Sequence, residues 1–139
     1  MAIVDCPPVL GVLMVNALAA SQHIIIPVQT EFLAIKGLER MVKTMDLMGR
    51  SKKTHYSYTV VPTMYDKRTK ASPAALKVLG AEYSKTLWQD VIPVDTKFRD
   101  ASLAHLPVSH YASGSRGVKA YERLLDFLLV GEFGHVKIG

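Results

Sequence analysis

The 139 residues are 49% hydrophobic and 21% charged, which supplies enough apolar side chains for one domain core and excludes a disordered chain. No apolar run approaches the roughly 20 residues that a membrane-spanning helix needs, and the single cysteine, Cys6, excludes an internal disulfide and fits a reducing cytoplasm. The net charge of +5 favours polyanionic partners such as DNA, although a solvated basic surface more often explains such an excess.

The first half of the chain alternates between strand and helix patterns. An apolar run at residues 2–4 ends at Asp5 and is followed by two prolines, which prevent its continuation. Residues 9–20 suit a buried helix. Residues 23–28 contain three consecutive isoleucines, which is typical of a strand buried on both faces. Apolar side chains then recur at helical spacing up to Gly49, which is placed to end that helix.

The second half continues the alternation. Its predicted elements are a strand at 56–64, a helix that Ser72 caps and that runs to about residue 83, a weaker strand at 87–92, a short helix at 98–105 and a last helix capped by Ser115. This order predicts one α/β unit with a partial doubly wound, mostly parallel sheet and helices on both faces. We expect residues 131–139 to form a flexible tail.

Polar groups follow each predicted strand at its carboxyl end. They comprise Asp5 and residues 27–31, 63–66 and 93–95. Open parallel sheets bind ligands at this edge. Any one such acid serves a turn more often than a site, but four segments together favour a binding site. An aspartate directly after a β-branched strand is also where P-loop enzymes hold Mg²⁺ through water.

Several motifs resemble those of the ParA/Soj/MinD family of partitioning ATPases, in the family's order and spacing from residue 2 to about residue 129. These are Ile3-Val4-Asp5-Cys6-Pro7-Pro8, Asn16-Ala17-Leu18, Ile26-Pro27-Val28-Gln29-Thr30-Glu31-Phe32, Lys36-Gly37-Leu38, Thr63-Met64-Tyr65-Asp66-Lys67-Arg68-Thr69 and Ile92-Pro93. Residues 1–130 therefore look like the C-terminal part of such an ATPase domain. The runs at 93–102 and 113–117 are most similar to the ParC-type proteins of polar chemotaxis operons.

The resemblance implies a role for eight residues. Asp5 would be the Walker B carboxylate that holds Mg²⁺ through water, and Cys6 would belong to the switch segment. Met64 and the turn Pro93-Val94-Asp95 would line the adenine pocket. Arg68 and Lys97 would contact DNA. The family usually has Arg-Asn after the Ile-Pro turn, so Val94 and Asp95 depart from its pattern and weaken a simple DNA-partitioning assignment.

The resemblance also implies cofactors, partners and a location. A complete protein would bind ATP and Mg²⁺ and dimerise with ATP sandwiched between its subunits. It would bind DNA without sequence preference, or a ParB-like or chemotaxis-array adaptor protein. It would act in the cytoplasm, on the nucleoid or at the cell pole, and would position chromosomes, plasmids or chemotaxis arrays.

A P-loop grips phosphate through a Gly-Lys-Ser/Thr segment, and no Gly-Lys dipeptide occurs in this chain. The family's Walker A strand lies between the Walker B strand and the next strand in sequence, so the resemblance implies a missing central strand and exposed edges. We expect that the chain alone neither hydrolyses ATP nor binds it tightly. Two alternatives are a non-catalytic interaction module from a split or degenerate gene, and a receiver-like domain with Asp5 as phosphoacceptor, which the motif match disfavours.

Overall fold

A computed structural model describes residues 2–6, 11–53 and 55–130. The helices within these residues are α1 (Val12–Ala20), α2 (Phe32–Lys52), α3 (Ala71–Glu82), α4 (Lys97–Leu103), α5 (Val108–Tyr111) and α6 (Arg116–Val130), and the strands are β1 (Ile24–Gln29) and β2 (Tyr58–Thr63). None of the described helices is long and apolar enough to cross a bilayer.

The sheet consists of β1 and β2, which pair in parallel in a register that runs from Ile24 with Tyr58 to Gln29 with Thr63. Helix α2 is the crossover between them. Two isolated parallel bridges, Val60 to Leu87 and Tyr65 to Pro93, extend the sheet beyond β2.

The continuous strand predicted at 87–92 is therefore wrong, because the chain turns between Leu87 and Pro93, the two residues that form the bridges. Asp90 lies in that turn, where its carboxylate accepts the amide of Val91 and pairs with Arg123 of α6. These bonds hold residue 90 away from the ladder.

Helices cover both faces of β2. On one face, Val60 packs with Ile35 and Leu38 of α2 and with Leu79 of α3. On the other face, Val61 packs with Trp88, Ile92, Ala120 and Leu124, of which the last two belong to α6. Helix α1 lies on the α2 side, where Met14 and Leu18 cluster with Met45. The predicted arrangement of a parallel sheet with helices on both faces is confirmed.

Strand β1 is buried on one face only, so its predicted burial on both faces is wrong. Val28 is buried and Ile26 packs against the same core, whereas Ile25, Pro27 and Gln29 are exposed. We call these three residues the bare face of β1. Helices α1 and α2 lie on the opposite side, and α6, which is on this side, packs on Val61 of β2.

The strand predicted at residues 2–4 does not form. Ile3 is 80% exposed and Val4 is 67% exposed, and no described residue forms a ladder with them. A lone strand leaves its backbone groups and side chains in water, so the pattern alone cannot order it. Pro7, Pro8, the first residues of the helix predicted at 9–20 and the predicted tail at 131–139 lie outside the described residues.

Two predicted helix boundaries are wrong. Helix α2 passes through Gly49 and ends at Lys52, and the next residue, Lys53, closes the last turn through its left-handed φ of 52° and its amide bonds to two preceding carbonyls. Helix α3 begins at Ala71, where Thr69 Oγ1 accepts the amide of Ser72, so Ser72 is not the cap. The cap predicted at Ser115 is confirmed, because its Oγ accepts the amide of Val118 at 3.3 Å.

Candidate nucleotide-binding edge

The carboxyl ends of β1 and β2 are tied together by Thr30. Its amide donates to the carbonyl of Thr63 at 3.0 Å, and its hydroxyl donates to Ser72 Oγ at 3.0 Å. Both hydroxyl side chains are buried, so each serves as the other's partner where water is excluded. This pair fixes the end of the sheet against the first turn of α3.

Met64 follows β2 in a left-handed conformation, with φ of 53°. Such a φ is uncommon for a residue other than glycine and persists only when its surroundings impose it. The amide of Tyr65 donates to the carbonyl of Ile92 at 3.1 Å, and the carbonyl of Tyr65 accepts the amide of Val94 at 3.0 Å. These bonds hold the 64–65 turn against the 92–94 segment.

The structure thus brings together four of the predicted adenine-pocket residues. Met64 is half exposed at this edge, and the next residue, Tyr65, pairs with Pro93 and Val94, which precede Asp95. Their contact with a nucleotide stays a prediction.

Asp95 also has a structural role that the sequence did not reveal. Its Oδ1 accepts the amide of Lys97 at 3.0 Å, and its Oδ2 accepts the amide of Gly117 at 2.9 Å. These bonds join the start of α4 to the start of α6. The Gly117 amide, followed by that of Lys97, lowers the pKa of the Asp95 carboxyl below its ordinary value, because both donors favour the ionised form.

The turn that follows Met64 carries a close ion pair. Arg68 binds both carboxylate oxygens of Asp66 through Nε and Nη2, at 2.7 to 3.3 Å, and also donates its amide to Asp66 Oδ1. The hydrogen bonds from the Arg68 side chain lower the pKa of Asp66 to about 2. The guanidinium remains largely exposed, so Arg68 can meet an anion from solvent.

Arg116, at the start of α6, is the basic residue of the 113–117 run. Its charge contributes to lowering the pKa of both Asp66 and Asp95, and the next residue, Gly117, donates its amide to Asp95. The Ser-Gly-Ser run before Arg116 predicted the start of a helix. It did not indicate which part of the fold that helix start lies against. Lys97 lies at the start of α4 and pairs with Asp100 at 3.3 Å.

Asp5 stands apart from this cluster. It is exposed, and no described contact links it to Met64 or to residues 93–95. The described residues contain no group of three or more histidines, cysteines or acids that could hold a metal. A single exposed carboxylate fits a Mg²⁺ ion that keeps most of its water molecules. Such an environment, with one carboxylate and several waters, is common for Mg²⁺.

Comparison with known proteins shows which proteins this chain is similar to. A family model described as an AAA domain matches residues 1–58. The chromosome-partitioning ATPase Soj of Treponema pallidum is 33% identical over 123 residues, which is 88% of this chain and 49% of that protein. The sporulation initiation inhibitor protein Soj of Bacillus subtilis is 33% identical over 120 residues, 86% of this chain and 47% of the relative. The chain is thus similar to part of the ParA/Soj-type ATPases. It spans about half the length of the curated relatives it matches.

Solved structures are similar to this chain in fold. A cobyrinic acid a,c-diamide synthase from Mycobacterium smegmatis superposes with a TM-score of 0.67 at 29% identity, covering 90% of this chain and 44% of the other. That synthase has been solved with ADP and magnesium, and with an ATP analogue and magnesium. The P-loop α/β fold that the motifs implied is therefore confirmed.

Proposed function

We propose that this chain carries the Walker B and adenine-side portion of a ParA/Soj-type partitioning ATPase, whose complete form dimerises with ATP and positions a cellular cargo. The observation that carries the proposal is the 64–65 turn. There, two backbone bonds to Tyr65 hold a left-handed Met64 beside Pro93, Val94 and Asp95 at the carboxyl edge of the sheet. Such an edge is where open parallel sheets bind ligands.

The residues present fit one part of an ATP–Mg²⁺ site. Met64 and Pro93 offer apolar surface for a base, and Asp5 offers one oxygen ligand for the hydration shell of Mg²⁺. When bound, ATP supplies the phosphoanhydride and Mg²⁺ neutralises its charge. The sequence contains no Gly-Lys dipeptide of the kind that binds phosphate in a P-loop. The phosphate site of the complete ATPase therefore has to come from another segment.

Arg68 provides the test of the proposed DNA contact. We expect Arg68→Ala to weaken binding of duplex DNA about threefold to tenfold and to reduce the dependence on salt by about one counterion, because one phosphate contact is lost. Asp66→Asn should strengthen binding, since it releases the guanidinium from its bidentate partner. Fluorescence anisotropy with a non-specific duplex at low salt measures both.

The matched control for the charge is Arg40→Ala, which removes an exposed arginine from α2. Asp126→Asn is the control for loss of an acid, on α6. Equal losses for Arg68→Ala and Arg40→Ala would show a diffuse basic surface and remove Arg68 from the proposal.

The cargo we favour is the polar chemotaxis array. Support comes from the run at 93–102 and from Val94 and Asp95, which stand where the partitioning pattern has Arg-Asn. A fluorescent fusion of the complete protein should colocalise with chemoreceptor clusters. A distribution that follows the nucleoid and ignores those clusters would assign the chromosome or a plasmid as cargo.

A non-catalytic interaction module is the second candidate, favoured by the absence of a Gly-Lys dipeptide. The coding DNA upstream of Met1 separates the two readings. An in-frame Gly-x-Gly-Lys-Thr-type segment supports the ATPase, and a stop codon without such a segment supports the module.

A further inference from the structure

A cavity of about 480 Å³ lies at the amino edge of the sheet, between the last turns of α2 and the segment that leads into β2. Helix α2 begins after the carboxyl end of β1 and returns to the start of β2, so its last residues lie at the opposite edge from Met64 and residues 93–95. The length of β2 separates the two edges by roughly 17 Å. The cavity is therefore a different site from the candidate nucleotide-binding edge.

Basic side chains outnumber acidic ones in the lining of the cavity. Arg50, Lys53 and His55 line it, together with one acid, Asp46. The three basic side chains are exposed, and no ion pair or side-chain hydrogen bond among the described residues includes them. Cationic groups at the C-terminal end of a helix also interact favourably with its dipole. That interaction leaves their hydrogen-bond donors open to an anion.

Tyr56 supplies a second and independent indication of a ligand. Its hydroxyl is buried and has no hydrogen-bond partner among the described residues, while its side chain packs against the cluster of Met14, Leu18 and Met45. A buried hydroxyl without a partner is costly, and native structures usually give such a group a protein, water or ion partner. Because Tyr56 lines the cavity, a ligand that enters can supply the acceptor that this hydroxyl lacks.

The donors and the volume together define the class of ligand. The three basic groups and the Tyr56 hydroxyl provide more donors than the two oxygens of a carboxylate need, whereas a phosphate monoester has three terminal oxygens. The volume falls in the range of about 300–1,000 Å³ that small-molecule sites have, and a free phosphate ion would leave most of it empty. The phosphate therefore carries an organic body. Met45 and Tyr58 offer apolar surface to that body, and Asp46 can accept hydrogen bonds from its hydroxyl groups.

We propose that this cavity is a second ligand site, which binds a phosphorylated small molecule with hydroxyl groups, of the size of a sugar phosphate. Arg50 and Lys53 bind the phosphate, and Tyr56 donates its hydroxyl to it. Asp46 accepts a hydrogen bond from the body of the ligand. The site goes beyond the proposed function, because no residue of the nucleotide-binding edge takes part in it.

The test is an NMR titration of the full chain with ribose 5-phosphate, with ribose and inorganic phosphate as separate arms. We expect saturable shifts of the amides of Gly49, Lys53 and Tyr56, with a Kd of about 0.1–1 mM. Ribose should give no saturable shift, and inorganic phosphate should bind about tenfold more weakly. Arg50→Gln should weaken binding of ribose 5-phosphate about fivefold to twentyfold, because a charge-assisted hydrogen bond is lost. Arg40→Gln is the matched control, on the same helix but not in the lining of the cavity, and should change the affinity by less than about twofold.

Tyr56→Phe separates binding from folding. It removes a hydroxyl that has no partner in the free chain, so the free energy of unfolding should not fall, whereas the affinity for ribose 5-phosphate should fall about fivefold to tenfold. No saturable shift up to about 10 mM, equal losses for Arg50→Gln and Arg40→Gln, or shifts confined to residues 64–65 and 93–95 would each overturn the site. Equal affinity for ribose 5-phosphate and inorganic phosphate would overturn the proposed class of ligand.

Discussion

Replacing Gly117 by alanine is expected to lower the free energy of unfolding by about 1–3 kcal/mol. A Cβ at this position would lie 2.2 Å from Cε2 of Phe98 and 3.2 Å from Cβ of Asp95. The ring of Phe98 is held by Tyr121, with centroids 5.6 Å apart, so relief requires α4 or α6 to shift. Chemical denaturation of the chain measures the change.

Gly80→Ala is the matched control, because Gly80 also lies in a helix and its added Cβ would meet nothing within 4 Å. It should stabilise the chain by about 0.5–1 kcal/mol through the better helix propensity of alanine. Phe98→Leu should restore part of the loss when combined with Gly117→Ala, since it removes the clashing ring atoms. Destabilisation by Gly117→Ala that Phe98→Leu leaves unchanged would contradict the close approach of α4 and α6.

Replacing Asp95 by alanine is expected to cost about 1–3 kcal/mol of stability, because the amides of Lys97 and Gly117 lose their acceptor together. Asp95→Asn keeps one carbonyl oxygen and should lose less. Asp100→Ala removes an acid whose partner is the exposed amine of Lys97, so it should change stability by less than about 1 kcal/mol.

The contribution of Asp95 should also depend on pH. Its pKa is lowered in the folded chain, so the carboxylate stabilises the fold above the ordinary carboxyl range, and this stabilisation is lost as the pH falls through the lowered pKa. The stability difference between wild type and Asp95→Ala should therefore be largest near neutral pH and shrink below about pH 4. A difference that is constant from pH 7 to pH 3 would show that the ionised form makes no special contribution.

Local periodicity was sufficient to predict most of the fold. The alternation of strands and helices, the apolar stripe of α2 around Leu38 and Met45, and the cap at Ser115 follow from short-range patterns, and the structure confirms them. The failures at residues 2–4 and on the bare face of β1 share one cause. Strand burial depends on which neighbours are present, and three isoleucines in a row look the same whether the opposite face is covered or open.

The candidate site was predictable in part. Open parallel sheets bind ligands at the carboxyl ends of their strands, and this rule predicts that residues 64 and 93–95 lie at the same edge. The backbone hydrogen bonds of Tyr65 hold these two segments together. The second use of Asp95 was not predictable, because the Gly117 amide lies 22 residues further along the chain and meets it only in the folded state. The approach of the first turn of α6, which includes Arg116, to Asp95 depends on the same contact.

We propose that this chain holds the adenine-side edge and Asp5 but no phosphate-binding loop. Titration of the purified chain with a fluorescent ATP analogue in the presence of Mg²⁺ tests it most directly. We predict no saturable binding tighter than a Kd of about 1 mM, equivalent to about 4 kcal/mol, with the same result for Asp5→Ala. Micromolar binding that Asp5→Ala abolishes would contradict the account.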